Sequence, residues 1–280
     1  DKPYDIDEIV FSIFGDVLTH DDLLRILLVL YAIRKKYSLT FDEAGRFSLP
    51  VNADKVTCSL FARISSHLDQ FPLMQISNLY TELQYISEEE FNENYSSAIR
   101  DIVSRRNDLI DNPTSCPSPS VLKRIGEEVA THKAKRIYCP FAGNGILSFY
   151  LPADISVVFQ VMSLDDAIIT SIVADAAHIS SSSVSIGHPA FNWLGDGCDA
   201  VICITPLRNA PFADFDIDGI QDGFLERVLS SETPFVLCIM LADSEFCTSI
   251  GTEHEAIRKR LFEKGSPYKL NSVIAYPKGV

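Results

Sequence analysis

The sequence predicts an α/β fold in which a parallel β-sheet carries helices on both faces, preceded by an α-helical N-terminal domain. Two observations support this. Residues 1–112 carry apolar side chains mainly at helical spacing, whereas short apolar runs alternate with helical segments from residue 113 onward. Strands that alternate with helices form parallel sheets, because each parallel strand needs a crossover connection. Prolines 113, 117 and 119 mark a hinge, so the predicted domains are residues 1–112 and 113–280.

The N-terminal domain is predicted to consist of helices. Apolar residues recur at positions i, i+3, i+4 and i+7 along the first of them. Thr19 and the acidic residues after it form an N-cap cluster, and Ser87 with Glu90 resembles a capping box. The predicted helices span residues 5–17, 19–36, 54–70, 79–83 and 88–109.

The second domain is predicted to alternate between the two element types. Several strand segments are apolar almost throughout, which is typical of strands buried on both faces of a parallel sheet. The predicted strands span residues 136–139, 155–162, 184–186, 199–205, 235–241 and 270–276, and the helices span residues 121–130, 146–151, 165–178, 219–230 and 253–264. Ligands of such sheets bind at the carboxyl ends of the strands, where the strand order reverses.

Composition excludes several classes of protein. A hydrophobic content of 46% and a charged content of 22% are typical of a globular chain. The net charge of −14 argues against a free-standing nucleic-acid binder. The longest apolar run, around residues 23–33, contains Arg25 and is too short to span a membrane. The chain shows no signal-peptide pattern, so we expect a cytoplasmic protein without a membrane partner.

Cysteine and histidine usage agrees with that compartment. The seven cysteines form no C-x-x-C pair, and several lie in apolar strand segments. This favours reduced, buried thiols over disulfides or zinc ligands. The six histidines are scattered without metal-ligand spacing, so no metal site is expected.

A glycine turn follows the first predicted strand of the second domain. Gly143 and Gly145 lie between that strand and the apolar residues Ile146, Leu147 and Tyr150. Glycine adopts positive φ readily and allows a ligand to lie against bare backbone. A strand, a glycine turn and a helix start together favour a nucleotide-type cradle. The same spacing occurs in plain strand-to-helix turns, and spacing alone leaves both interpretations open.

The turn and its surroundings resemble a known family. The run Cys-Pro-Phe-Ala-Gly-Asn-Gly at residues 139–145, with Pro-Ser-Pro-Ser-Val-Leu-Lys-Arg-Ile at residues 117–125, resembles the cofactor motif of adenine-N6 DNA methyltransferases. The closest resemblance is to the modification subunits of type I restriction-modification systems. Their pattern is Asp-Pro-x-x-Gly-Ser-Gly after a Thr-Pro helix entry. Residues 235–279 also follow the family's order of strand, helix and a strand ending in Pro-x-Gly.

This resemblance implies a Rossmann-like fold that binds S-adenosylmethionine and methylates the amino group of an adenine flipped out of DNA. It also implies that DNA is reached through a separate specificity subunit, which the acidic net charge would require. Self-association is left open. The cofactor-binding positions carried over from the family are Cys139, Pro140, Phe141, Gly143, Asn144, Gly145, Asp165 and His188.

Several cofactor positions depart from the family pattern. Cys139 stands where the family has an acid near the cofactor's amino group. Met162 and Ser163 stand where an acid should hold the ribose, and the carboxylates of Asp165 and its neighbour follow one turn later. His188 replaces the aspartate that lies near the cofactor's adenine. We expect these changes to weaken the polar part of the site.

The catalytic tetrapeptide has two candidate registers. The family places Asn-Pro-Pro-Phe or Asn-Pro-Pro-Tyr directly after the fourth strand. In strict register this chain carries Ile204, Thr205, Pro206 and Leu207, which offer neither an acceptor for the amine nor a stacking ring and would be inactive. A second register places the amide of Asn209 and the ring of Phe212, with Pro211 between them, five residues later. Those residues also suit an ordinary turn-rich loop.

Three functions remain open on these residues. The chain is an adenine-N6 DNA methyltransferase, a catalytically inactive methyltransferase-like domain that binds DNA or a partner, or a methyltransferase for RNA or small molecules. The sequence stops at Val280, one strand before the family's sheet is complete, and begins with Asp1 rather than Met. We therefore expect a domain that lacks its last strand or belongs to a longer protein.

Overall fold

The computed structural model describes residues 5–16, 18–41, 43, 47–48, 58, 74–105, 117–189, 191–204, 217–242, 244–251 and 253–274. The chain forms two compact units, residues 1–108 and 109–280. The predicted domain boundary after residue 112 falls among residues 106–116, outside the described ranges.

The first unit is helical, as predicted. Its described elements are the helices α1 (Ile6–Phe14), α2 (His20–Arg34), α3 (Met74–Leu83) and α4 (Glu88–Arg105), and the two-residue antiparallel strands β1 (Thr40–Phe41) and β2 (Phe47–Ser48). The predicted helix over residues 54–70 lies outside the described residues except for Cys58. In the described part of the chain, no helix is both long and apolar enough to cross a membrane.

Side-chain caps fix the starts of two of these helices. The Thr19 hydroxyl accepts a hydrogen bond of 3.1 Å from the Asp22 amide. The Ser87 hydroxyl accepts one of 3.2 Å from the Glu90 amide. Each bond satisfies an amide that has no partner within its own helix, which confirms both predicted N-caps. Helix α2 is buried almost all round and is the centre of this unit.

The second unit is an α/β layer structure, as predicted. Its elements are α5 (Pro119–His132), β3 (Arg136–Cys139), a 3-10 helix (Ile146–Tyr150), β4 (Ser156–Val161), α6 (Leu164–Ala176), β5 (Ser181–Ile186), β6 (Ala200–Ile204), α7 (Ile217–Leu229), β7 (Leu237–Leu241), α8 (Ser244–Thr248) and α9 (Glu253–Arg260). The five strands are parallel in the order β5-β4-β3-β6-β7. Strand β5 is an edge strand, and its residues 181–183 are exposed.

The strand order reverses between β3 and β6. Ile137 pairs with Ala200 and Tyr138 pairs with Val201 at this position. The Asp199 carboxylate accepts hydrogen bonds of 2.9 Å from the backbone amides of residues 135 and 136, which fixes the start of the pair. The connections from β3 and β6 then leave in opposite directions, so a crevice opens at their carboxyl ends.

The sheet is covered on both faces. On one face, Tyr138 and Val201 pack with Phe224 and Val228 of α7. Alternate strand residues point to the opposite face. Ile137, Phe159 and Ile202 are fully buried there. The core of this unit therefore lies on both sides of β3, β4 and β6.

Two predicted elements are wrong. The predicted helix over residues 146–151 is a five-residue 3-10 helix, and Leu151 is extended at φ −89° and ψ 152°. Pro152 explains the extended conformation of Leu151, because a residue before proline is disfavoured in the α region.

The predicted strand over residues 270–276 is absent from its described part, 270–274. A strand needs a partner for its amides, and β7 pairs only with β6 among the described residues. Leu270, Val273 and Ile274 are exposed instead.

A close backbone contact joins α5 to the 3-10 helix. A Cβ atom at Gly126 would lie 1.9 Å from the carbonyl oxygen of Tyr150. Only glycine therefore fits at this position. The 3-10 helix follows the glycine turn directly, so α5 packs against the segment that comes next after the turn.

Gly126→Ala should destabilise the protein by roughly 1–3 kcal/mol, the usual range for an overpacked site. Alanine normally stabilises a helix relative to glycine, so Gly223→Ala in α7, where nothing lies within 4 Å of the added Cβ, is the matched control. That control should raise stability by about 0.5–1 kcal/mol. Urea unfolding measures both changes, and equal effects at the two positions would contradict the close contact.

Candidate functional site

The candidate site lies at the carboxyl ends of β3, β4, β5 and β6. These ends share one edge of a parallel sheet, and the glycine turn leaves β3 where the strand order reverses. Three residues of this turn have positive φ: Phe141 at 55°, Gly143 at 58° and Gly145 at 74°. The turn therefore coils tightly over the end of the strand instead of extending away from it.

Most amides of the turn are used within the chain. The Ala142 amide donates to the Gln160 carbonyl at 2.9 Å, and the Gly145 amide donates to the Ala142 carbonyl at 3.0 Å. The Ile146 amide donates to the Asn144 side-chain oxygen at 3.1 Å. None of the described residues accepts a hydrogen bond from the amide of residue 143 or 144. Those two amides are what the turn offers to a ligand.

Thr170 of α6 holds the turn in place. Its hydroxyl donates a hydrogen bond of 2.9 Å to the Gly143 carbonyl. A Cβ atom at Gly145 would lie 2.9 Å from the Thr170 Cγ2. Gly145 is therefore required for packing, and Gly143 is buried beside it. The sequence did not indicate Thr170, because its role depends on where α6 crosses the turn.

The turn differs from the predicted cradle in one respect. An α-helix start was expected to add its dipole and its unpaired amides. The 3-10 helix Ile146–Tyr150 is too short to supply them. The site depends on the turn itself.

The end of β4 offers no carboxylate to a ribose. Met162 packs against the core cluster around Tyr138. The Ser163 hydroxyl caps α6 and donates to the Asp166 carboxylate at 2.7 Å. Asp165 is partly exposed and has no hydrogen bond or ion pair among the described residues. Of the two carboxylates in this turn, Asp165 is therefore the one placed to meet a ligand.

The end of β5 presents aromatic rings. The His188 ring packs edge-on against Phe141 with centroids 5.5 Å apart, and lies 5.4 Å from Phe191. Phe191 is 85% exposed, although the sequence had not indicated it. Burial lowers the pKa of His188 below its usual value, which favours the neutral imidazole at neutral pH. An aromatic surface therefore lies where the resemblance would place a carboxylate.

Cys139 contributes no charge either. It is the last residue of β3 and is buried. Burial holds the pKa of its thiol far above the usual value, so the thiol stays protonated. Pro140 follows it and leads into Phe141.

The candidate catalytic residues are only partly visible. Ile204 ends β6 and is partly exposed, and its side chain has no acceptor for an amine. The other residues of both registers, Thr205, Pro206, Leu207, Asn209, Pro211 and Phe212, lie outside the described residues. Their roles stay predictions.

Packed aromatic rings and a short series of hydrogen bonds lie in the core next to the site. The buried Tyr138 hydroxyl donates to the Gln160 side-chain oxygen, and the Gln160 amide donates to the Asn192 carbonyl at 2.9 Å. The Trp193 ring packs edge-on against Tyr138 at 4.9 Å and lies 6.2 Å from Phe224. This series of hydrogen bonds ties the loop after β5 to the two central strands.

Comparisons with known proteins identify the fold. No family model matches the sequence, and no curated protein matches it. The structure of a Listeria monocytogenes protein assigned to the class I S-adenosylmethionine-dependent methyltransferases matches with a TM-score of 0.53 and 12% identity, over 92% of this chain and 79% of that one.

Two further structures match less well. A Klebsiella pneumoniae protein assigned as an O-methyltransferase gives a TM-score of 0.41 and 18% identity, over 57% of this chain and 74% of that one. An O-methyltransferase from neocarzinostatin biosynthesis was solved with S-adenosylmethionine and 2-hydroxy-5-methyl naphthoic acid. It gives a TM-score of 0.29 and 13% identity, over 72% of this chain and 65% of that one. Of these three structures, the Listeria protein has the highest TM-score, and at 12% identity the likeness concerns the fold alone.

The second unit therefore has the Rossmann-like fold of S-adenosylmethionine-dependent methyltransferases, which confirms the predicted fold class. None of these three proteins is described as an adenine-N6 DNA methyltransferase, so that predicted subfamily stays a prediction.

The stability of the protein should depend on the protonation of His188. Because its pKa is lowered on folding, its contribution is fully present above the unfolded value of about 6.5 and is lost as the pH falls toward the folded pKa. His188→Gln should therefore lose less unfolding free energy than the wild type between about pH 7.5 and about pH 5.5. Urea unfolding at each pH measures this, and an equal loss of unfolding free energy in both proteins would exclude a lowered pKa for His188.

Proposed function

We propose that the chain binds S-adenosylmethionine at the glycine turn and transfers its methyl group to the N6 amino group of adenine in DNA. The observation that carries the proposal is the position of the turn. It follows the central strand of a methyltransferase-type parallel sheet at the point where the strand order reverses. The resemblance of residues 139–145 to the adenine-N6 family supports the choice of substrate.

The described residues fit the cofactor mainly through their backbone. The amides of Gly143 and Asn144 have no acceptor among the described residues, and we propose them as the donors to the cofactor. The Asp165 carboxylate is the acceptor nearest to the expected ribose position, one turn later than the family's acid. Phe141 and His188 supply an apolar wall that suits an adenine ring.

The chemistry requires little of the protein beyond orientation. Bound S-adenosylmethionine would supply a methyl group on a positively charged sulfur, so that an N–CH3 bond forms as the S–CH3 bond breaks, S-adenosylhomocysteine leaves and the displaced amino proton passes to water. On the second register, the Asn209 side-chain oxygen accepts a hydrogen bond from the amino N–H, which directs the nitrogen lone pair toward the methyl group. The Phe212 ring stacks on the flipped base and keeps it in line. Cys139 stays neutral and takes no proton from the amine.

We further propose that DNA reaches this site through a separate basic subunit, as in a restriction-modification system. The chain carries a net charge of −14, which repels a DNA backbone. A basic partner would supply the phosphate contacts and the choice of sequence.

A catalytically inactive scaffold is the alternative function. The loss of the expected carboxylates favours it, because Cys139 is buried and Met162 packs into the core rather than facing a ligand. This alternative predicts neither methyl transfer nor cofactor binding of useful strength.

Calorimetric titration with S-adenosylmethionine should show binding in the micromolar range, about −8 kcal/mol. Gly143→Asn keeps a residue that tolerates positive φ but adds a side chain where the cofactor approaches, so affinity should fall about tenfold or more. Gly197→Asn is the matched control, since Gly197 has φ +74° and open space around it. If the wild type does not bind S-adenosylmethionine, the catalytically inactive scaffold is the favoured function.

Asn209→Ala should lower methyl transfer to adenine by about 10²-fold or more, since it removes the acceptor that orients the amine. Asn192→Ala, the same deletion at an exposed position, should leave the rate unchanged. Transfer of a labelled methyl group to DNA, with the basic partner present, measures both. Full activity of Asn209→Ala would eliminate the second register.

A further inference from the structure

The helical first unit contains a pocket that takes no part in the proposed function. The pocket has a volume of about 170 Å³. Its walls come from the end of α2, from the end of α3 with the loop that follows it, and from the start of α4. An engineered cavity of about 150 Å³ in another protein holds one benzene molecule. The pocket therefore has room for one ring of that size.

The inner wall of the pocket is apolar. Leu83, Ile86 and Phe91 line it, and all three are buried, with exposed fractions of 2%, 8% and 3%. Ile33 also lines it and is partly exposed. Apolar side chains around a space of this size favour a ligand group that leaves water, and an aromatic ring in the wall favours a flat one.

The rim of the pocket is polar, and one of its cations has no carboxylate partner. The Arg34 Nη1 donates a hydrogen bond to the side-chain oxygen of Asn92, which is a neutral group. The guanidinium also lies 5.4 Å from the centre of the Tyr95 ring. Within the described ranges, no carboxylate forms an ion pair with Arg34. A guanidinium carries several N–H donors in one plane, so Arg34 can still bind the two oxygens of a carboxylate.

A second cation of the rim stands at a position that usually carries glycine. Lys36 has φ 62°, and the amides of residues 36 and 37 donate to the carbonyls of Ile33 and Ala32, which is a Schellman motif that ends α2. Any residue with a Cβ atom is disfavoured in this conformation. The Lys36 Nζ lies 2.6 Å from the Glu88 Oε1, but both side chains are exposed. An exposed ion pair stabilises a fold little, so this pair does not account for the lysine.

We propose that this pocket binds a small aromatic carboxylic acid in its ionised form. The ring lies against Phe91 and the other apolar residues of the inner wall, and the carboxylate pairs with Arg34. Lys36 adds a second positive charge to the rim. Of the three glutamates in the first turn of α4, only Glu88 lines the pocket. The site uses residues of the first unit alone, so the inference does not depend on the proposed function.

Three probes separate the ring from the charge. Benzoate carries both, benzamide has nearly the same shape without the charge, and acetate has the charge without the ring. Each probe is titrated into the full chain, and the Nε–H signal of Arg34 is followed in ¹H–¹⁵N spectra. The wild type should bind benzoate about tenfold or more tightly than benzamide, because an ionised acceptor strengthens the bonds from Arg34. It should also bind benzoate about tenfold or more tightly than acetate, which buries no ring.

Arg34→Gln should lower the affinity for benzoate about tenfold, to that for benzamide, and should change the benzamide affinity little. Arg34→Lys keeps the charge but loses the planar pair of donors, so part of the preference for benzoate should remain. Arg100→Gln is the matched control, since Arg100 is an exposed arginine of α4 that does not line the pocket. That control should leave all three affinities unchanged, and the melting temperature of each variant checks that it is folded.

Two outcomes with the wild type alone would overturn the inference. One is that benzoate binds no more tightly than benzamide, and the other is that benzoate leaves the Arg34 Nε–H signal in place. A folded Arg34→Gln variant that keeps the full preference would overturn it as well.

S-adenosylmethionine separates this inference from the proposed function. Saturation with S-adenosylmethionine should leave the benzoate affinity unchanged, and loss of benzoate binding would assign the acid to the cofactor site instead. A chain that binds benzoate as expected but does not bind S-adenosylmethionine would contradict the proposed function alone.

Discussion

The pairing of β3 with β6 is the constraint on which the rest of the second unit depends. Strands close in sequence lie on one side of β3, and β6 lies on the other. The Asp199 carboxylate secures the pair at its start by accepting two backbone amides. Because the connections diverge at the opposite end, the crevice there follows from topology. The glycine turn, His188 and the start of α7 are brought to one edge by the same reversal.

Steric contacts rather than charges shape this edge. Gly126 lets α5 approach the backbone of Tyr150, and Gly145 lets the turn approach Thr170 of α6. The turn is thus held from two sides at positions where a methyl group would not fit. At two of the predicted cofactor positions the chain carries a protonated Cys139 and His188, whose lowered pKa favours the neutral form. Neither residue therefore contributes a charge to the candidate site.

The sequence predicted the fold well because the relevant signals are local. Alternation of apolar runs and helical spacing indicated the parallel sheet, and strand β3 has the predicted bounds. The Thr19 and Ser87 caps follow from residue type and spacing alone. Apolar spacing wrongly predicted an α-helix over residues 146–151, because Pro152 keeps Leu151 out of the helical conformation. It failed again at residues 270–274, because a strand requires a partner that local sequence does not specify.

The site was less predictable because its residues meet only in the folded chain. Thr170 and Phe191 belong to no motif, and each looks ordinary in sequence. Their significance comes from a hydrogen bond to the turn and from an exposed ring. Glycine spacing located the turn, but only the fold showed that Gly145 packs closely against Thr170.

The composition of β5 has a consequence for how the protein behaves in concentrated solution. A free sheet edge presents unpaired amides and carbonyls to which the strands of other molecules can add. Four of the six residues of β5 are serines, and residues 181–183 are exposed. Water and hydroxyl groups compete there for the backbone, and Val184 and Ile186 are the only apolar residues that β5 offers to an incoming strand. The composition of this edge therefore gives little apolar burial to a strand added to it.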